Sequence, residues 1–298
     1  MKYTTLSLIC AALITSMSGC GTTPQLTPQQ KKQVQQFNEK TQLKELAQEL
    51  HKAMNEDQLP FYAPVSLEEA QDALHDAQEA KLKNEQLLYY LQAKKALKHG
   101  YDTKKLVQQY LADLADIKQR MDKQRTKEIY PDRYEDFLDD YDDLIKMIDK
   151  EELQDVLEDK KEVLKNAQDL YGDAVVFRNI NKAALILDSM DDEDLNELAP
   201  KLYEKAQRVY EQTRLKIKSD PDNTQLIETI AQHANETALY AQTIANDVRR
   251  FRELPKDEQE NFFASIHKNL ATLNPKEKST AILPLPMVEK FDYLRKLK

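Results

Sequence analysis

The stretch that decides the fold is residues 223–252, NTQLIETIAQHANETALYAQTIANDVRRFR. It contains no proline or glycine, and its core-type side chains recur at alternating spacings of three and four residues. That rhythm places one narrow seam along one side of an α-helix, as antiparallel bundles and coiled coils require. The seam positions are Ile227, Ile230, Ala234, Thr237, Ala241, Ile244, Val248 and Phe251, flanked by Ala231, Ala238 and Ala245. Such small flanking residues would let a neighbouring helix approach closely.

The composition of the whole chain extends this helical prediction. Only four of the 298 residues are glycine, and the eleven prolines stand mostly between long proline-free stretches. Because proline interrupts helices and marks turns, this distribution favours long helices over a many-turned β fold. The predicted class is all-α: an elongated multi-helix bundle or irregular helical array with long antiparallel amphipathic helices. A tetratricopeptide-like solenoid is the structural alternative, but no clear period of about 34 residues is present.

Local chemistry suggests where the helices begin and end. Ser66 to Glu69 has the sequence of a capping box, His99-Gly100 is a helix stop, and Gly172 ends a further helix. Helices are predicted near 30–57, 66–98, 102–127, 132–149, 151–171, 178–190, 195–218, 223–252 and 256–272.

The chain is predicted to consist of five segments. Residues 1–19 form a signal peptide, and residues 20–30 form a lipidated cysteine with a flexible tether. Residues 31–172 form an N-terminal helical region and residues 173–273 a C-terminal helical region. Residues 274–298 form a proline-containing basic tail.

The signal prediction depends on the first twenty-one residues. The apolar run Leu6–Met17 is shorter than the roughly 20 residues that span a bilayer, and it has the length of a signal-peptide core. The residues Met17-Ser18-Gly19-Cys20, followed by Gly21 and a polar stretch, resemble the lipobox of bacterial lipoproteins. The resemblance implies recognition through Met17, Ser18, Gly19 and Gly21, cleavage before Cys20, and lipidation of Cys20. An ordinary signal peptide with an incidental cysteine is the alternative.

The same residues imply a location. Gly21 stands where an aspartate would retain an enterobacterial lipoprotein in the inner membrane, so the resemblance implies the outer membrane, with the chain facing the periplasm. Display at the cell surface stays open. Cys10 and Cys20 are the only cysteines. The mature chain would therefore have no thiol left for a disulfide, a zinc site or a nucleophile.

A weak internal repeat accompanies a second resemblance. Ala63-Pro64 and Ala199-Pro200 each open a helix with leucine and alanine at helical spacing. The stretch Leu198–Gln207 and the alanine-spaced helix after it resemble a family of bacterial envelope lipoproteins with Ala-Pro-led helical pairs and no established function. Some members carry a peptidoglycan-binding domain as well. No strand-bearing segment of that kind is found in this sequence, so the activity does not carry over.

The sequence patterns predict no catalytic residue, no metal ligand and no cofactor. The five histidines include no pair spaced as in HExxH, and no G-x-S-x-G elbow is present. The acidic runs 139–143 and 191–194 lack the pattern of an EF-hand loop and are interpreted as solvated faces or caps. The formal net charge of -9 disfavours nucleic acid and general adhesion to anionic lipid. Phe61-Tyr62 and Tyr89-Tyr90 are interpreted as fillers between helices, with a peptide or glycan groove as the alternative.

These observations lead to a functional hypothesis. We expect a non-enzymatic outer-membrane lipoprotein that acts as a helical scaffold or adaptor in the envelope, with an envelope protein as its partner. The alternative is a periplasmic protein that binds a peptide, a glycan or a metal in a helical groove. The end Phe291–Lys298 loosely resembles the Tyr-Arg-Lys end by which a small envelope lipoprotein is joined to peptidoglycan, which implies a peptidoglycan contact. Leu294 and Leu297 depart from that pattern, and a plain solvated tail is the alternative.

Overall fold

The computed structural model describes residues 28–272, and over this range the protein is all-α, as the sequence predicts. The described residues form thirteen helices and no strand. In chain order the helices are α1 (Pro28–Gln36), α2 (Glu39–Asn55), α3 (Leu59–Tyr62), α4 (Pro64–Glu79), α5 (Lys83–Tyr110), α6 (Ala112–Lys123), α7 (Thr126–Ile129), α8 (Pro131–Asp149), α9 (Leu153–Asp192), α10 (Leu195–Leu198), α11 (Pro200–Ser219), α12 (Thr224–Glu253) and α13 (Lys256–Thr272). The chain divides into two compact units between Ala174 and Val175, here called unit 1 and unit 2.

One local structure occurs three times along the chain. Each copy, here called a hook, has a left-handed residue, a one-turn helix, a residue with extended φ, and a proline that begins the next long helix. The left-handed residues are Gln58, Arg125 and Asp194, with φ of 57°, 52° and 54°. They lie 67 and 69 residues apart. The internal repeat suspected at the two Ala-Pro pairs is therefore threefold, and Tyr130-Pro131 is the copy that the sequence pattern hides.

Each hook is held in place by its first helical residue. Leu59, Thr126 and Leu195 are completely buried. The Thr126 hydroxyl donates to the carbonyl oxygen of Met121 at 2.9 Å, so its burial leaves no unpaired polar group. The buried anchor explains why a non-glycine residue beside it adopts the left-handed conformation, which costs roughly 1–2 kcal/mol for an L-residue.

A tyrosine–aspartate hydrogen bond closes the second and third hooks. The Tyr134 hydroxyl donates to Asp122, and the Tyr203 hydroxyl donates to Asp191. In both hooks the tyrosine lies nine residues after the left-handed residue and the aspartate three residues before it. The first hook has Leu67 in place of the tyrosine, and a different pair, Tyr101 and Asp57, bonds beside it at 2.7 Å.

In unit 1, the buried carboxylate of Asp149 determines how helix α4 begins. This side chain ends α8 and accepts the backbone N–H of Ser66 at 2.9 Å, the Ser66 hydroxyl, and the Thr103 hydroxyl at 3.1 Å. The predicted capping box at Ser66 is therefore wrong. Helix α4 begins at Pro64, and a residue 83 positions away satisfies the free amide. An apolar cluster lies around this point: Leu46, Leu50, Ala53, Leu59, Ala63, Leu67, Ala70, Leu74, Ala93, Ala96 and Leu97.

In unit 2, the alanines of α12 form the packed line. Ala231, Ala234, Ala238, Ala241 and Ala245 are buried, whereas the predicted seam residues Ile230, Thr237, Ile244 and Val248 are only half-buried. The predicted seam is therefore correct at Ile227, Ala234 and Ala241, and the predicted flanking alanines take the place of its other members. Small side chains allow α11 to approach α12, and the longer residues on either side cover the edges of the contact.

Several predicted helix boundaries are wrong, two of them because a glycine lies inside a helix instead of ending it. Helix α5 continues through Gly100, and α9 continues through Gly172, although both glycines were predicted to end helices. A Cβ on Gly100 would lie 3.0 Å from Leu59 and 3.4 Å from Ser66, so this glycine admits the first hook against α5. The predicted helices 30–57 and 66–98 are each two helices, which meet at residues 37–38 and at the turn 80–82.

Candidate functional site

The residues predicted as the lipidation site lie outside the described part of the chain. Met17, Ser18, Gly19, Cys20 and Gly21 precede Pro28, so their predicted roles stay predictions. Within residues 28–272, no helix is long and apolar enough to cross a membrane. The same range contains no group of three or more histidine, cysteine, aspartate or glutamate side chains that could hold a metal ion.

Unit 1 contains an open aromatic groove of about 530 Å³ beside the first hook. Phe61 is 44% exposed and Met54 is 40% exposed, and both line the same groove, so they form an apolar patch instead of scattered surface residues. Helix α2, the first hook, α6 and α8 together supply the residues that line the groove. They are Met54, Gln58, Pro60, Phe61, Tyr62, Ala115, Lys118 and Tyr141.

A row of rings forms the floor and wall of the groove. Tyr141 stacks on Phe137 with centroids 6.0 Å apart and ring planes within 7°. Phe61 lies 6.0 Å from Tyr141 and meets Tyr62 edge to face at 4.9 Å. Because Phe137 and Tyr141 are buried, they hold the exposed ring of Phe61 against a rigid support.

Two lysines lie at this aromatic surface. The Lys104 ammonium lies 5.2 Å from the ring centroid of Tyr62 and donates to the backbone oxygen of Asp57 at 2.6 Å. Lys118 donates to Asp122 at 2.9 Å. Burial alone would lower the pKa of Lys118, but its bond to Asp122 and the charge and hydroxyl of Tyr134 outweigh burial and raise the pKa. The Lys118 ammonium therefore stays charged at neutral pH, and both lysines are already directed by a protein acceptor.

Tyr101 forms a polar contact near the same hook. Burial, followed by the hydrogen bond to Asp57, raises the pKa of Tyr101 to about 12. The hydroxyl thus remains a donor throughout the physiological range. Its role is to orient the Asp57 side chain beside the hook, not to transfer protons.

The groove has the chemistry of a binding surface. Its aromatic faces can stack against apolar or sugar rings, and Gln58 and Lys118 supply a few polar contacts. No lining residue forms a pair of nucleophile and base, and the surface is open to solvent. Recognition of a partner is the function that this arrangement supports.

The buried Ser66 and Asp149 and the half-buried His99 have the composition of a catalytic triad but another geometry. His99 Nε2 contacts the backbone oxygen of Asp149 at 2.9 Å, and the Ser66 hydroxyl donates to the Asp149 carboxylate instead of to a histidine. Ser66 is only 1% exposed. A substrate could not reach this hydroxyl, so the cluster stabilises the start of α4.

A second cleft, of about 260 Å³, lies between α8 and α9 within unit 1. Asp136, Asp140 and Asp169 line it together with Arg133, and Arg133 is paired with Asp173 at 3.0 Å. Burial, and then the charges of Asp136 and its acidic neighbours, raise the pKa of Asp140. In the acidic run 139–143, the side chains of Asp139, Asp140 and Asp143 are exposed as predicted, and Tyr141 between them is buried.

Sequence reasoning identified one part of the groove and missed the other. Phe61 and Tyr62 were noted as neighbours at a helix junction, with groove binding as an alternative. Tyr141 and Lys118 were missed because they lie far away in sequence and because acidic residues surround Tyr141. The spacing of Phe137 and Tyr141, four residues apart on α8, was the one available signal.

Comparison with known proteins adds no relative: no family model, no curated protein and no solved structure matches this chain.

Proposed function

We propose that this chain is a non-enzymatic lipoprotein of the bacterial envelope, anchored to the outer membrane through Cys20, facing the periplasm and serving as a helical scaffold or adaptor. The observation that carries the adaptor role is the aromatic groove of unit 1. The observation that supports the anchor is the lipobox-like sequence from Met17 to Gly21.

The groove has the features of a protein interface centre. Exposed aromatic and methionine side chains are enriched at such centres, and the few residues with most binding energy are often aromatic. Phe61 presents its ring to solvent while Tyr141 and Tyr62 support it. Since the hook determines the backbone at Phe61, the ring is preorganised, which lowers the entropy lost on binding.

A site-specific crosslinking experiment tests the adaptor role. A photoreactive phenylalanine analogue replaces Phe61 in the full-length protein in intact cells, and Leu82 serves as the matched control because it is 51% exposed in the α4–α5 turn. We expect one dominant envelope protein to be captured at position 61 and not at position 82. Equal capture at both positions, or capture at neither, contradicts the adaptor role.

Acylation of the chain is tested separately. Mass spectrometry of the N-terminal peptide should show lipid on Cys20, and a Cys20→Ser variant should leave the outer-membrane fraction. An unmodified Cys20 in the membrane-derived protein would refute the anchor without bearing on the groove.

The same groove favours a second function, the binding of a peptide or a glycan. Stacking of sugar or proline rings on Phe61 and Tyr141 would provide the contact, and a glycan ligand would agree with the expected peptidoglycan contact. A ligand-dependent rise in melting temperature, lost in Phe61→Ala and kept in Leu82→Ala, would support this function. A flat response to peptides, proline-rich peptides and peptidoglycan fragments would count against it.

A further inference from the structure

Both ends of the predicted mature chain are basic, and the long segment between them is acidic. Residues 20–44 contain four lysines and one glutamate, a net charge of +3, and residues 274–298 also carry a net charge of +3. The whole chain carries -9, and Lys2 lies in the predicted signal peptide, so residues 45–273 together carry -16. One of the two basic segments therefore lies next to the proposed lipid anchor.

Helix α2 sorts these charges onto separate edges. Lys40 and Lys44 are four residues apart and both exposed, so they lie one above the other on the helix. Glu45 and Glu49 form a parallel row about 100° further around the helix. Glu49 is bound to Lys94 of α5 at 2.7 Å, which directs the acidic edge toward unit 1.

The lysines have no partner within the described structure. Lys32 on α1 and the two lysines of α2 are exposed, and none of them forms an ion pair or a side-chain hydrogen bond among residues 28–272. The segment that carries them is nevertheless attached to unit 1. Phe37, between α1 and α2, is 3% exposed and lies 5.4 Å from the ring of Tyr90, and Leu46 and Leu50 are buried on the inner face of α2.

The proposed anchor would bring these lysines to a membrane surface. Eight residue steps separate Cys20 from Pro28, and an extended chain spans at most about 3.6 Å per step, or about 29 Å. Electrostatic screening at physiological salt acts over roughly 8 Å, so the charges that lie nearest the bilayer decide the local attraction.

We propose that Lys32, Lys40 and Lys44 form a contact surface for the anionic phospholipid headgroups of the membrane that carries the anchor. This inference rests on the proposed lipid attachment at Cys20 and adds an orientation to it. The lysine surface faces the phosphate groups of the bilayer, and the acidic segment of residues 45–273 is repelled from them.

The test uses the full mature chain with a surrogate anchor. In a Cys20→Ala protein with a hexahistidine tag directly before residue 20, nickel-chelating lipid holds the chain on vesicles whether or not cells acylate it. The vesicles are pure phosphatidylcholine or phosphatidylcholine with about one third phosphatidylglycerol. A water-soluble acetylating reagent then reports, by mass spectrometry, the reactivity of each lysine. The exposed Lys201 and Lys205 of unit 2 serve as internal references.

We expect phosphatidylglycerol to slow acetylation of the three lysines by about fivefold each, which is the factor that corresponds to one lysine near an anionic surface. Addition of 0.5 M sodium chloride should abolish the protection, as about 0.5 M salt shortens screening to roughly 4 Å. A Lys40→Gln and Lys44→Gln double variant should lose the protection of Lys32 as well, because the contact is shared.

Equal acetylation rates on the two vesicle types would overturn the proposal, as would equal protection of Lys201 and Lys205. Protection that persists in high salt would also overturn it, since burial in a protein contact would then be the cause. Failure of Cys20 to become acylated in cells would refute the anchor alone, because the vesicle assay does not depend on acylation.

Discussion

Removal of the Asp149 carboxylate is the sharpest test of how this fold is assembled. The Asp149 side chain is 0% exposed, and it joins the end of α8 to the start of α4 and to the middle of α5. In an Asp149→Ala variant, the Ser66 amide, the Ser66 hydroxyl and the Thr103 hydroxyl all lose their acceptor. None of these donors can reach bulk water without opening the packing around the hook.

The size of the effect follows from these three donors. Each buried donor left without an acceptor costs about 1–3 kcal/mol, and partial relaxation reduces the sum. We therefore expect Asp149→Ala to lower the free energy of unfolding by about 3–5 kcal/mol. The matched control is Asp143→Ala on the same helix, whose side chain is 71% exposed. Its expected cost is below about 0.5 kcal/mol.

Two measurements check this prediction. Urea unfolding followed by helical circular dichroism gives the overall loss, and amide hydrogen exchange at the start of α4 locates it, since a chain of two units need not unfold in one step. Adding Ser66→Ala and Thr103→Val to Asp149→Ala should recover about 1–2 kcal/mol, because the orphaned hydroxyls are then absent. A loss within about 1 kcal/mol of the control, or no recovery, would refute this account.

Three further predictions concern the hooks and the titratable groups. Arg125→Gly should stabilise the protein by about 0.5–1 kcal/mol in urea unfolding and Arg125→Val should destabilise it, because only glycine adopts the left-handed conformation without strain; equal stability of the two variants would contradict this. Tyr101 should be among the last tyrosines to ionise in a titration at 295 nm, with a pKa of about 12, and Asp57→Asn should lower that pKa. Because the pKa of Tyr101 is raised in the folded protein, its contribution to stability is complete below about pH 10 and is lost as the pH rises toward 12. An unchanged Tyr101 titration in Asp57→Asn would argue against the hydrogen bond between the two side chains. The pKa of Asp140 is raised in the folded protein, so its negative charge destabilises the fold above the ordinary aspartate pKa. Asp140→Asn should therefore raise the melting temperature at pH 7, which corresponds to about 0.5 kcal/mol in the free energy of unfolding. This gain should vanish near pH 3.

The regular helices were predictable because their periodicity is local. Helix α12 runs from Thr224 to Glu253 against a prediction of 223–252, and α13 begins at Lys256 as predicted. In both, a cap or a proline stands next to a run of helical spacing, so the sequence near each boundary contains the whole signal.

The glycines led to errors because their effect depends on tertiary contacts. Glycine ends a helix in isolation, but Gly100 lies inside α5, where a Cβ would press on Leu59 of the first hook. The prediction at Ser66 failed in the same way, since the acceptor for its amide comes from Asp149 and not from Glu69. Such long-range partners leave no trace in the surrounding residues.

The candidate site was predictable only in part. The adjacent residues Phe61 and Tyr62 drew notice as an aromatic pair, but the groove also needs Tyr141, about eighty positions later, and Lys118 from α6. No local pattern joins them. The spacing of Phe137 and Tyr141, four residues apart, indicated an aromatic face on α8. Nothing in the sequence indicated that Phe61 packs against Tyr141.

The sequence alone determined the all-α class, because helical periodicity and the scarcity of glycine act residue by residue along the chain. It also carries the lipobox-like stretch that motivates the proposed anchor, since such a signal is local. The tertiary structure alone decided where the hooks bury Leu59, Thr126 and Leu195, which carboxylate caps α4, and which rings meet at the groove. Those choices depend on side chains dozens of residues apart competing for the same buried space, and local spacing does not encode that competition.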